Sequence, residues 1–135
     1  MRTREEIHNA DWFGSTPDGW EMKPLKALFT FSKGLSITKA DLTETGAQVV
    51  SYGQIHSKTY DGTGITNDII RHVARQTVEG GGTSFVRKGG FIFADTSEDL
   101  AGVGNFAYKD GNEDPYGGYH TVVVTPRHDF VNQFI

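Results

Sequence analysis

Cysteine is absent from the 135 residues, so disulfides, thiolate chemistry and Cys-based zinc sites are excluded. No run approaches the 18 apolar residues that a membrane-crossing helix needs, and the amino terminus, MRTREEIHNADW, lacks the apolar core of a signal peptide. Proline is scarce. Pro17, Pro24, Pro115 and Pro126 are the whole set and no two are adjacent. The Asn/Asp-Pro-Pro-aromatic loop that a DNA base methyltransferase needs is therefore missing, and the chain cannot be that enzyme by itself. These absences leave a cytoplasmic, membrane-free protein as the expectation.

What is present suits one domain: 36% hydrophobic residues, 12% aromatic, enough for one core and too little chain for two. The formal net charge of -4 is spread unevenly. Residues 1–22 carry two basic and five acidic groups, residues 23–90 nine and five, and residues 91–135 two and seven. A basic middle between acidic ends permits phosphate contacts from one face; the same pattern also describes solvated surface.

The stretch FVRKGGFIFADTSED at 85–99 organises the chain. A basic turn, Arg87 to Gly90, leads into the apolar segment Phe91 to Ala94, read as a central strand, which empties into the polar loop from Asp95 to Asp99. The run Gln48 to Tyr52 repeats the design, a strand whose polar exit runs from Gly53 to Lys58. Tyr119 to Thr125 is the clearest strand, stopped by Pro126. Gly102 to Tyr108 reads as a turn and strand, Arg71 to Arg75 as a half-exposed strand, residues 109–115 as a charged surface loop, and Glu79 to Thr83 as a flexible connector, since no Gly-Lys-Ser/Thr follows its glycines.

Helices are expected to be short. Leu25, Leu28 and Phe29 share one face of a helix that Pro24 can begin, within residues 20–29. Thr38 caps a second short helix or turn over residues 39–45, with Gly46 as its stop. Asp129 caps a third that has run about two turns when the chain reaches Ile135. The fold class expected is α+β: one small domain over 1–135 with a mixed, mostly antiparallel twisted sheet, residues 1–16 an irregular lead-in, and the carboxyl end incomplete.

The acids Asp95, Glu98 and Asp99 with His120 are the residue types of a metal or acid/base site. Their spacing is not that of a calcium loop, and His8, His56, His72, His120 and His128 fall in different elements without a zinc pattern. Hydrogen bonds from Asp95, Thr96 and Ser97 to their own backbone, shaping a loop, explain that segment better. Ser51, Ser57 and Ser97 lie in no nucleophile elbow. No catalytic residue and no metal ligand is expected. Tyr52 and Tyr119, at strand edges beside polar loops, are suited either to nucleic-acid contact or to packing.

Four segments taken together, DWFGSTPDGWEMKPLKALF (11–29), KGLSITKADLTETGAQVVSYGQIHSK (33–58), VRKGGFIFADTSEDLAGVGN (86–105) and GYHTVVVTP (118–126), resemble a target-recognition domain of the DNA-specificity subunit of type I restriction-modification systems. The resemblance implies a non-catalytic α+β unit that reads half of a split sequence in double-stranded DNA. It implies partners too: a methyltransferase (modification) subunit and a nuclease (restriction) subunit, which would bind S-adenosylmethionine and ATP, and pairing with another specificity chain. This chain departs from the pattern in having one such domain where two, with two long helices, are usual. Carried onto this sequence, the resemblance makes Lys33, Ser36 and Lys39 phosphate contacts and Gly53, Gln54, His56, Ser57 and Lys58 the base-facing loop. Thr96, Ser97, Tyr119 and His120 follow in rank. A truncated module that binds modification or specificity subunits without reading DNA is the alternative.

Overall fold

The computed structural model describes residues 17–60, 64–96, 100–102 and 104–128, and strands carry its architecture. In chain order they are β1 (Phe29–Lys33), β2 (Leu42–Thr43), β3 (Ala47–Val50), β4 (Arg71–Val73), β5 (Phe91–Ala94), β6 (Phe106–Tyr108), β7 (Tyr116–Gly117) and β8 (Thr121–Pro126). Among the described residues, two single-turn α-helices, α1 (Leu25–Leu28) and α2 (Tyr52–Ile55), and several 3-10 turns connect them. The class is α+β with mostly antiparallel strands, as expected. The strands divide between two sheets of four: β1-β8-β5-β6, antiparallel throughout, and β2-β4-β3-β7, in which only β3 and β7 run parallel.

Strand β5 lies inside the first sheet, between β8 and β6, where its continuous apolar run belongs. Its side chains alternate between faces. Ile92 pairs with Val123 and Ala107, all fully buried, and these face a core that includes Val50, Ile55, Ile69 and Val86. The opposite face is aromatic: Phe91 makes edge contacts with Phe29 at 5.9 Å and Phe106 at 5.7 Å. Leu35, Ile37, Ala47, Val49 and Val73 form a second cluster around the other sheet. Each fully buried aliphatic side chain contributes about 1.5–3 kcal/mol, so two small clusters suffice to hold short strands together.

Several local expectations change under tertiary pairing. The helix expected within residues 20–29 is reduced to α1, which buries none of its residues; Leu25 is exposed, and Phe29 opens β1 opposite Pro126 instead. A four-residue turn gains little by itself, whereas Phe29 in β1 gains a ladder partner and burial against Phe91. Of the short helix or turn expected over 39–45, the structure has the turn, a 3-10 turn at Lys39–Asp41, and β2 follows it. Thr38 does begin it: the Asp41 carboxylate accepts from the Thr38 amide at 2.7 Å and from its hydroxyl at 3.2 Å.

The polar exit after β3 is not a loop but α2, so Tyr52 belongs to a helix and not to a strand edge. Ser51 and Gln54 form the Ser-x-x-Gln pattern of a helix start, with Gln54 Oε1 accepting from the Ser51 amide at 3.1 Å. Tyr119 and His120 stand in the turn before β8, while Pro126 ends that strand inside the sheet. The glycine connector is bounded by 3-10 turns, Arg75–Val78 and Gly82–Ser84, and Gly81 lies close against Leu35. In the charged 109–115 segment, Lys109 is only 5% exposed, its ammonium 3.2 Å from Asp114 and 5.4 Å from the Phe85 ring centre. The lead-in at 1–16 and the helix expected from Asp129 lie outside the described residues. Among the described residues, no helix is long and apolar enough to cross a membrane.

Candidate functional site

Two strand exits far apart in sequence meet on one patch. The exit of β3 becomes α2, and the exit of β5 is the segment Asp95-Thr96. His56, at the end of α2, joins them: its Nε2 lies 2.8 Å from the Thr96 carbonyl oxygen. A carbonyl only accepts, so Nε2 carries the hydrogen; Nδ1 then accepts from Asn105 Nδ2 at 3.2 Å. Both contacts fit the neutral Nε2–H tautomer. His56 therefore spends both ring nitrogens inside the protein and acts as a clamp between exits.

The turn before β8 closes the patch. Its backbone is bound to both exits, the Tyr52 amide donating to the Tyr119 carbonyl at 3.3 Å and the Asp95 amide to the His120 carbonyl at 3.1 Å. The Tyr52 ring meets three neighbours edge-on: Tyr119 at 5.6 Å, His120 at 5.2 Å and His56 at 6.1 Å. The side chain of His120 is 61% exposed and its Nδ1 is 3.5 Å from Asp95 Oδ1. His120 has φ +52, a left-handed conformation that points to a positional demand.

Close packing under the patch comes from glycine. Gly118 lies against buried Ser51, and a methyl group at Gly34 would run into the Gly118 carbonyl and Thr121 Oγ1. The amides of Gly34 and Leu35 donate to Thr121 and Gly117 at 3.0 and 2.8 Å. This binds the segment carrying Lys33, Ser36 and Lys39, all exposed, alongside the Tyr119-His120 turn.

The structure thus gathers Tyr52, His56, Thr96, Tyr119 and His120 into one cluster, with the 33–39 segment flanking it. Gln54 is committed through Oε1 to the start of α2, and the Ser57 hydroxyl lies 2.9 Å from that of Thr59. Lys58 is exposed beyond them; Ser97, Glu98 and Asp99 lie outside the described residues. Asn105 orients His56, and no local pattern marks it in the sequence, where it is one polar residue 49 positions away. Among the described residues, no three His, Asp or Glu side chains are placed to share a metal ion.

The patch offers aromatic edges, an accessible imidazole beside a carboxylate, and lysines nearby. Such groups make hydrogen bonds and stacking contacts to a polar, planar, anionic ligand. Compared with known proteins, the chain matches no family model and no curated protein.

Proposed function

We propose that this chain is a DNA-reading domain, the target-recognition unit of a type I restriction-modification specificity subunit, working in the cytoplasm. Its part is recognition without catalysis; a separate methyltransferase bringing S-adenosylmethionine and an ATP-driven nuclease do the chemistry at the site it selects. The observation that carries the reading is the convergence of Tyr52, Thr96, Tyr119 and His120 from three chain segments, held by the His56 clamp. Recognition needs polar groups fixed on rigid elements, and strand ends joined by hydrogen bonds supply that rigidity. The ordered sequence resemblance supplies the ligand class, and Lys33, Lys39 and Lys58 around the patch suit a phosphate backbone.

Selection from random duplex DNA, with the modification subunit present, tests this. One enriched half-site is expected, with the preference lost in Tyr119→Ala and His120→Ala. Sequence-independent retention at moderate salt would sink the reading.

A protein-interaction module is the second reading, favoured by the aromatic face of the first sheet, where Phe31 stays 49% exposed and Phe91, Phe93 and Phe106 are half-buried. Salt separates the two, because phosphate contacts weaken steeply as salt rises and an apolar interface does not.

A further inference from the structure

At the far end of β8 from the His120 turn lies a groove of about 550 Å³. One wall is the 3-10 turn Gly82–Ser84 with Arg87; the other is β1 with the end of β8. Arg87, Arg127 and His128 line it with Thr30, Ser32 and Thr83, the Thr30 hydroxyl donating to the Thr125 carbonyl at 3.4 Å, and no Asp or Glu among the described residues does so. Arg87 begins the basic turn that stood out in the sequence. Gly90 donates to the Arg87 carbonyl at 2.8 Å and Gly89 has φ +85, the geometry of a type II turn, which leaves Arg87 and Lys88 exposed. The second wall is fixed as well. The Arg127 amide donates to the Leu28 carbonyl at 2.8 Å and its Nε to the Lys26 carbonyl at 3.2 Å, while Ser84 Oγ donates to the Lys33 carbonyl at 2.8 Å.

We infer that this groove seats a phosphodiester backbone, as an anchor separate from the reading patch. Guanidinium groups and hydroxyls without a competing carboxylate are the donors that phosphate oxygens take. The groove also lies at a useful distance. From His120 to Arg127 the chain is extended, and at about 3.3 Å per residue the two sites are roughly 20 Å apart, less than one turn of B-form DNA, which is about 34 Å. That separation is within the span of one duplex. The inference rests on the DNA-reading proposal for its occupant, though not for the chemistry of the groove.

The test measures duplex binding by the full chain, with the modification subunit present, against salt concentration, for the parent and for the variant Arg87→Ala/Arg127→Ala, with thermal unfolding to verify the fold. Each lost phosphate contact lowers the slope of log K against log salt by about 0.9, so a fall near 2 is expected, with the selected sequence unchanged. Arg87→Ala/Lys88→Ala, which leaves the Arg127 bonds intact, should lower the slope in the same sense. Unchanged affinity and slope in both variants would overturn the anchor. If the parent binds no duplex, the reading fails by itself; tripolyphosphate titration followed by amide NMR then decides the groove. Shifts at residues 82–87 and 127–128 that vanish in the double variant uphold a phosphate seat, and their absence from the parent overturns it.

Discussion

His120 and Asp95 are joined twice: the imidazole Nδ1 lies 3.5 Å from the Asp95 carboxylate, and the Asp95 amide donates to the His120 carbonyl at 3.1 Å. The backbone bond brings the turn before β8 to the exit of β5; the side-chain contact then aims the ring beside Tyr52. Position and orientation have separate causes here, and substitution separates them.

The first prediction concerns the positive φ of His120. A non-glycine residue there costs about 1 kcal/mol that glycine does not pay. His120→Gly should therefore unfold at higher urea than His120→Ala, by about 1 kcal/mol, while both lose the ring. Equal midpoints would mean that the turn relaxes.

The His56 clamp predicts coupling. His56→Ala and Asn105→Ala each remove one side of the same hydrogen bond, so their effects should not add; a double-mutant cycle in urea should give about 0.5–1.5 kcal/mol of interaction. Additive losses would show that the bond contributes nothing.

Glycine packing beneath the patch gives a sharper contrast. Gly34→Ala pushes a methyl group into the Gly118 carbonyl and Thr121 Oγ1, at an expected cost of about 1–3 kcal/mol. Gly82→Ala meets nothing within 4 Å and should stay within about 0.5 kcal/mol of the parent. Thermal unfolding of the two variants checks the difference.

Buried Lys109 supplies the last prediction. Asp114→Asn leaves its ammonium without a counter-charge, but the Asp114 side chain is 76% exposed, so water tempers the loss to about 1–2 kcal/mol. Adding Lys109→Met should restore most of that stability, because the charge in need of a partner is gone. A double variant no more stable than Asp114→Asn would refute this account.

Much of the strand content was legible. Phe91 to Ala94 is apolar without interruption and becomes an internal strand with the same bounds, because such a run is costly anywhere but between two neighbours. The Thr38 start was equally readable, since a cap needs only residues three apart. The Ser51-x-x-Gln54 cap is also written in the sequence, but the β-branched run before it points to a strand that includes Tyr52.

The sequence by itself determined the α+β class, the organising strand and the polar residue types at its exits, because alternation, caps and turns are short-range physics. Only the tertiary structure decided which exits meet. His56 and Asn105 are 49 residues apart, and no local pattern encodes their contact. The division into two sheets, the conversion of Phe29 from helix to strand and the burial of Lys109 belong to the same class: each depends on partners that arrive from elsewhere in the chain.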